Sequence, residues 1–304
     1  MIAVVTGANG FCGRAMVAYL IALGVEVVSL RRADFYPAGS VATRPCAATI
    51  AAHLPSQSID YVFHLVGQTD SSSTPELFVT NVLTATALFE ALRATRQNPV
   101  VVLTGSAAEY GMITPADLPL YESRPENPVD SYGMSKTIQT RIGQLAIAAG
   151  HRVVLSRPFN IVGPGMPSRL ALGNFLRQLA TRTVTPPCIL RTGTLQTSRD
   201  FVHIDDAVRA WWELANQPNA QGQIINLCSG LPLRIGQIVE WMVSAVPFPV
   251  QVQSTIDENR RNDSPEHFGS PALLRTLLGW APTPLTADIV GIITRQHLAS
   301  SCAA

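Results

Sequence analysis

A short apolar run followed at once by three spaced glycines opens the chain: Ile2-Ala3-Val4-Val5-Thr6, then Gly7-Ala8-Asn9-Gly10-Phe11-Cys12-Gly13. Five residues without polar alternation read as a strand buried on both faces, the kind a parallel sheet contains. Met16, Leu20 and Leu23 follow at helical spacing until Gly24 ends the run. Strand, glycine turn and helix in that order make the geometry that seats a pyrophosphate on the positive end of a helix. The spacing here is G-x-x-G-x-x-G rather than the commoner G-x-G-x-x-G. A parallel strand needs a crossover before its neighbour, so this opening predicts alternating strands and helices downstream.

The rest of the first half fits that expectation. Val25 to Leu30 reads as a second strand. A dinucleotide unit usually places a carboxylate at the end of this strand, for the ribose hydroxyls. Here Arg31-Arg32 stands in that place, and two guanidinium groups suit a 2′-phosphate, so the expected cofactor is NADP(H), with NAD(H) second. Residues 37–58 are rich in Pro and Ala and leave open a third strand and a short helix. Asp60 to Gly67 reads as a strand, on which His64 is a packing residue. The polar loop 68–75 then falls at a strand's C-terminal edge, where such sheets bind ligands. A helix over 76–95 places Ala85, Leu88, Phe89 and Leu92 on one face. Val100 to Thr104 is another buried strand, running into Gly105-Ser106 and then a Pro-rich loop over 112–130.

The next helix carries Ser131-Tyr132-Gly133-Met134-Ser135-Lys136, capped by Asp130 or Ser131 and ended by Gly150. Tyr132 and Lys136 are four apart and share a helix face. An ammonium beside a phenol favours the phenolate, so the tyrosine pKa is expected to fall toward neutral, a usable acid or base for a hydroxyl/carbonyl pair. A sixth strand, Arg152 to Ser156, leads to Arg157-Pro158-Phe159-Asn160. Beyond Gly165 the pattern loosens. One helix is expected around 174–180, another through Val208, Trp211, Trp212 and Ala215, and a strand at Ile224 to Leu227 that returns to the main sheet. The adjacent tryptophans read as core and interface packing, and 230–304 as short helices and loops. The expected architecture is a doubly wound α/β sheet over 1–165, with 200–228 returning to it. Residues 166–199 and 229–304 form a smaller lobe.

Composition narrows the partners. A formal net charge of +1 over 304 residues, without a basic block, argues against nucleic acid. No uncharged apolar run reaches the length of a membrane span, and residues 1–13 lack the basic start of a signal peptide. Five scattered cysteines (Cys12, Cys46, Cys188, Cys228 and Cys302) show no metal spacing. They point to reduced thiols, a cytoplasmic protein and no bound metal.

Taken together, five ordered motifs resemble the extended short-chain dehydrogenase/reductases that act on nucleotide sugars. They are Gly7-x-x-Gly10-Phe11-x-Gly13, Ser106 to Tyr110-Gly111, Tyr132-x-x-x-Lys136, Arg157-Pro158-Phe159-Asn160, and Arg199-Asp200-Phe201-Val202-His203, with Gly279-Trp280-x-Pro282 near the end. Within that family, Glu109 to Ile113, Asn160 to Gly165 and Asn226 to Gly230 look most like the GDP-sugar reductases and 4,6-dehydratases.

The resemblance implies a Rossmann-type fold, a nucleotide-sugar substrate, a homodimer built on helices 76–95 and 131–149, and a set of roles. Ser106, Tyr132 and Lys136 would be catalytic. The cofactor would meet Gly7, Asn9, Gly10, Phe11, Gly13, Arg31, Arg32, Leu65, Val66 and Pro158, together with Tyr132 and Lys136. The substrate would meet Ser106, Glu109, Asn160, Asn174, Arg199 and Arg260. Read from residues alone, Arg199 can equally pair with Asp200 or Asp205, and Arg260 can be a solvated charge beside Arg261. The 4,6-dehydratases carry a glutamate two residues before the tyrosine that matches Tyr110. Ala108 stands there, which turns the expectation to a 4-keto reductase, with a 4-epimerase second and a non-catalytic NADP-binding protein third. The aspartate that relatives carry near residue 46, for the adenine, is also replaced, by Cys46.

Overall fold

A computed structural model describes residues 1–37, 44–69, 73–181, 187–255 and 264–302. Its main sheet is six-stranded and parallel throughout, built from β1 (Ile2–Thr6), β2 (Glu26–Leu30), β3 (Tyr61–His64), β4 (Val100–Thr104), β5 (Arg152–Pro158) and a late strand, β9 (Ile224–Leu227). The spatial order is β2-β1-β3-β4-β5-β9. The chain leaves β1 in one direction to form β2, then crosses to the other side of β1 for β3. That reversal opens a crevice at the C-terminal ends of β1 and β3, where doubly wound sheets bind ligands.

Helices cover both faces. α1 (Phe11–Ala22) and α7 (Ile204–Ala215) lie on one side. Their core joins Met16 and Leu20 to Val5, Phe63, Val102 and Trp211. Trp211 is fully buried and donates its indole N–H to Ser156 Oγ at 3.0 Å, while Trp212 packs edge-on to Tyr61. On the other side lie α2 (Ala47–His53), α3 (Thr74–Phe78), α4 (Thr84–Ala94) and α5 (Ser131–Ala148). α3 passes into α4 through a wider π-type turn, Val79–Leu83. By length and composition alone the stretch Thr74–Ala94 could cross a membrane. It carries Glu76, Glu90 and Arg93, and over half of it is buried against α2 and α5, as a core helix of this fold requires. Gly143 brings α5 onto β4 and β5, because a Cβ there would lie 2.4 Å from Leu155 and 2.7 Å from Leu103.

The smaller lobe gathers β6 (Asn160–Val162), β8 (Ser198–His203), β10 (Pro232–Arg234) and β12 (Glu266–His267) around β8. A separate parallel pair is formed by β7 (Cys188–Thr192) and β11 (Val250–Ser254). α6 (Ala171–Ala180), α8 (Ile235–Ser244) and α10 (Ala287–Cys302) pack together, and α9 (Ala272–Leu278) rests on β9 and α7. Two expectations change here. Segments 166–200 and 230–304, expected as loops and short helices, also contain β7, β10, β11 and β12. These strands are short and interrupted by polar residues, as in Val250-Gln251-Val252-Gln253-Ser254, so they lack the five-residue apolar run that marked the central strands. The segment expected to return from 200 does so through α7 and β9, whereas β8 joins the smaller sheet. Within 37–58 the described residues form α2; residues 38–43 lie outside the described set.

Candidate active site

The glycine turn is built by close packing. Gly7 sits at φ +69°, and a Cβ on it would meet Leu65 O and Val66 N at 2.9 Å. A Cβ on Gly13 would lie 2.0 Å from Gly7 O. The turn, the first turn of α1 and the loop after β3 therefore touch backbone to backbone, and only glycine fits. α1 starts at Gly10 with no side-chain cap and no acidic residue in its first turn. Its free N–H groups and the positive end of its dipole face the crevice, a ready seat for an anion. This cradle fits a dinucleotide pyrophosphate.

A cleft of about 370 Å³ opens there, lined by Gly7, Arg32, Val66, Gly67, Thr80 and Arg169 among others. Arg32 faces this cleft. Arg31 instead is tied to Asp34, whose carboxylate accepts the Arg31 backbone N–H at 2.7 Å and lies 3.5 Å from its guanidinium. The adjacent arginines thus have different surroundings, a distinction the sequence did not carry.

Ser106, Tyr132 and Lys136 come from three places: the end of β4, the first turn of α5, and one turn further on. The Tyr132 phenol faces the Ser106 side chain, which favours its phenolate form. Cys12, in the first turn of α1, is within electrostatic reach of both Tyr132 and Lys136, which puts the pair beside the glycine turn. Asp130 caps α5 by accepting the Gly133 N–H at 2.7 Å, and so fixes where Tyr132 starts.

One expectation is overturned. Lys136 does not pull the phenol toward neutrality. Burial pushes the Tyr132 pKa up to about 12, against the opposing pull of the Ser106 side chain. The ammonium donates to Thr104 O at 2.8 Å and Gln139 Oε1 at 2.7 Å. Burial in turn lowers Lys136 to about 8, against the pull of Glu109. Tyr132 is therefore a protonated phenol at neutral pH.

Other assignments also move. Glu109 is fully buried and faces inward, not toward a substrate. It accepts the Ser106 backbone N–H at 2.8 Å and pairs with Arg157 Nε at 2.9 Å. Burial raises its pKa while Arg157 opposes that. Arg157 also bonds Glu126 and stacks 4.9 Å from the Tyr110 ring. The Arg199 guanidinium donates to Ser264 O at 3.0 Å, not to Asp200 or Asp205. Asp200 is instead a buried acceptor for Ser229 N, Ser229 Oγ and Gly230 N. Asn160 donates to Asp200 O at 2.8 Å, and Asn174 accepts from Arg177. Pro158 is buried at the end of β5, and Asn9 and Phe11 flank the glycine turn. Arg260 lies outside the described residues.

Sequence reading missed Asn81, Gln139 and Arg169. Asn81 is fully buried, and it joins Gln68 of the post-β3 loop to Ser135 of α5. Its signal was a lone amide inside the apolar run Phe78 to Leu83. Among the described residues no group of three or more His, Cys, Asp or Glu could hold a metal ion.

The model of the NAD dependent epimerase/dehydratase family matches residues 3–228, three quarters of the chain and every element just described as framing the crevice. The chain belongs to this family. It is similar to the GDP-6-deoxy-D-mannose reductase of Pseudomonas aeruginosa, 29% identical over 290 residues and 91% of each chain. It is also 29% identical to a dTDP-6-deoxy-L-talose 4-dehydrogenase (NAD(P)(+)) of Kitasatospora kifunensis, over 91% of this chain and 90% of that one. Among solved structures it resembles the RMD protein of Pseudomonas aeruginosa complexed with NADPH, with a TM-score of 0.84, 26% identity and 98% coverage of both chains. The chain is accordingly an NAD(P)-dependent enzyme of the extended short-chain dehydrogenase/reductase type.

Proposed function

We propose that this protein is an NADPH-dependent reductase of a nucleotide-linked 4-keto sugar, with a GDP-sugar as the first candidate. The observation that carries the reading is the half-buried phenol of Tyr132, facing Ser106 and held protonated beside a glycine turn that suits a dinucleotide. The bound nicotinamide would supply a hydride to the sugar carbonyl carbon. Tyr132 then gives its proton to the forming alkoxide, and Ser106 donates a hydrogen bond to the same oxygen. Lys136, released from Thr104 O and Gln139, would hold the ribose hydroxyls and stabilise the phenolate left behind. Arg31 and Arg32 at the end of β2 support NADP(H) over NAD(H), as does the NADPH-bound relative. Asn160, Asn174, Arg199 and Arg260 remain the residues proposed for the sugar nucleotide.

A 4-epimerase would use the same three residues but must first take a proton from the sugar hydroxyl, and a phenol near 12 is poorly set for that step. Incubation with GDP-, UDP- and dTDP-linked 4-keto sugars decides between them. The reductase consumes NADPH mole for mole with substrate. Epimerised product with unchanged nicotinamide absorbance would replace the reading.

We further propose a cytoplasmic homodimer. The thiols of Cys12, Cys46, Cys188 and Cys228 are free, and α5 exposes Met134 and Leu145 beside α3 and α4.

A further inference from the structure

Arg169 belongs to the smaller lobe's side of the crevice, in the segment between β6 and α6. That segment lies over the start of α1. A Cβ on Gly163 would lie 3.7 Å from the Phe11 ring, and one on Gly165 would lie 3.6 Å from Arg14 Nη2. From there the Arg169 side chain crosses the mouth of the cleft, and its Nε donates to Thr69 Oγ1 at 3.0 Å, on the loop that follows β3. It lines the same cleft as Gly7 and Arg32. It also lies within electrostatic reach of Cys12, inside the first turn of α1. No carboxylate lines this cleft among the described residues, so the charge nearest the helix N-terminus is positive on both sides.

We propose that Arg169 is a cross-lobe clamp on the cofactor's diphosphate: it leaves the neutral Thr69 hydroxyl and closes on the phosphates once they rest on the first turn of α1. This rests on the dinucleotide reading of the glycine turn. The exchange is favourable because a guanidinium bonds a phosphate with charge assistance and two parallel donors, which one threonine hydroxyl cannot match. Because the arginine comes from the smaller lobe, cofactor binding would also draw that lobe toward the sheet.

The clamp has a signature distinct from that of Arg32. Both NADPH and NADH carry the diphosphate, whereas only NADPH carries the 2′-phosphate. Arg169→Ala should therefore weaken both dinucleotides by the same factor, about tenfold to a hundredfold, and leave 2′-AMP affinity unchanged. Thr69→Val removes only the partner in the open state, so it should bind NADPH as tightly as wild type or tighter. Calorimetric titration of the full-length wild type and both variants reads these constants. Arg169 is exposed, so a thermal melt without cofactor should show the same midpoint for wild type and Arg169→Ala. Arg169→Ala affinity for NADPH within about threefold of wild type would overturn the clamp. A collapse of the NADPH-to-NADH preference would also overturn it, by moving Arg169 to the 2′-phosphate. A wild type that binds neither dinucleotide would instead remove the cofactor reading beneath it.

Discussion

At the scale of single residues, the chemistry depends on which protons are held and where. Tyr132→Phe removes the only proton proposed to reach the substrate oxygen. Turnover should fall by about a hundredfold or more while NADPH affinity stays, measured as kcat against a binding titration. Lys136 gives the pH dependence. Burial lowers its pKa to about 8, so the ammonium is present below that pH and lost above it. The rate of the proposed reduction should therefore decline as pH rises through about 8, and Lys136→Arg, whose charge persists, should move that limb well to the alkaline side. For stability the sign is opposite: the folded pKa lies below the ordinary lysine value of 10.5, so the cost of burying this charge is relieved as pH rises from about 8 toward that value. Arg32→Ala should bring NADPH and NADH affinities close together, and Arg31→Ala should do less, because Arg31 is already paired with Asp34. The ratio of the two dissociation constants checks both. The i, i+4 pairing of Tyr132 with Lys136 was legible in the sequence because a helix fixes its own faces. The direction in which Lys136 points was not, because Thr104 O and Gln139 decide it.

At the scale of elements, two devices hold the segments of the candidate site. The first is the glycine turn. Gly13→Ala would force a Cβ to 2.0 Å from Gly7 O, so the turn must open. Cofactor affinity should then drop by at least about tenfold, with retained α/β circular dichroism as the control. This device was readable from residues 2–13, since close backbone approach leaves glycine as the sole solution. The second is the buried pair Glu109–Arg157, which ties the turn after β4 to β5. Burial opposes the charge on Arg157, but Glu109, Tyr110 and Glu126 outweigh it and hold the guanidinium charged. Arg157→Met would leave Glu109 buried without its partner, at a cost of roughly 3–5 kcal/mol. Chemical denaturation should show that loss, and turnover should fall with it because Ser106 hangs from Glu109. Sequence reading assigned Glu109 to the substrate. Its partner is 48 residues away, and local pattern carries no sign of it.

At the scale of the whole molecule, the two lobes meet through Asp200. It sits on β8 of the smaller sheet, yet it accepts from Ser229 and Gly230, which follow β9 of the main sheet. Asp200→Ala would strand the backbone N–H groups of Ser229, Gly230 and Gly269, at about 1–3 kcal/mol for each buried one, and loosen the lobe that carries Asn160 and Arg199. The substrate KM should rise more than kcat falls, measured in steady state alongside the unfolding midpoint. From the sequence by itself came the doubly wound sheet, the alternation of its central strands with helices, the glycine turn and the helix face shared by Tyr132 and Lys136. Those features rest on short-range rules: periodicity, backbone freedom at glycine, and faces of one helix. The tertiary structure alone decided the inward turn of Glu109, the separation of Arg31 from Arg32, the raised phenol of Tyr132 and the reach of Arg169 across the cleft. Each is set by burial and by partners distant in sequence, and desolvation is a property of the packed molecule that no stretch of chain expresses before it folds.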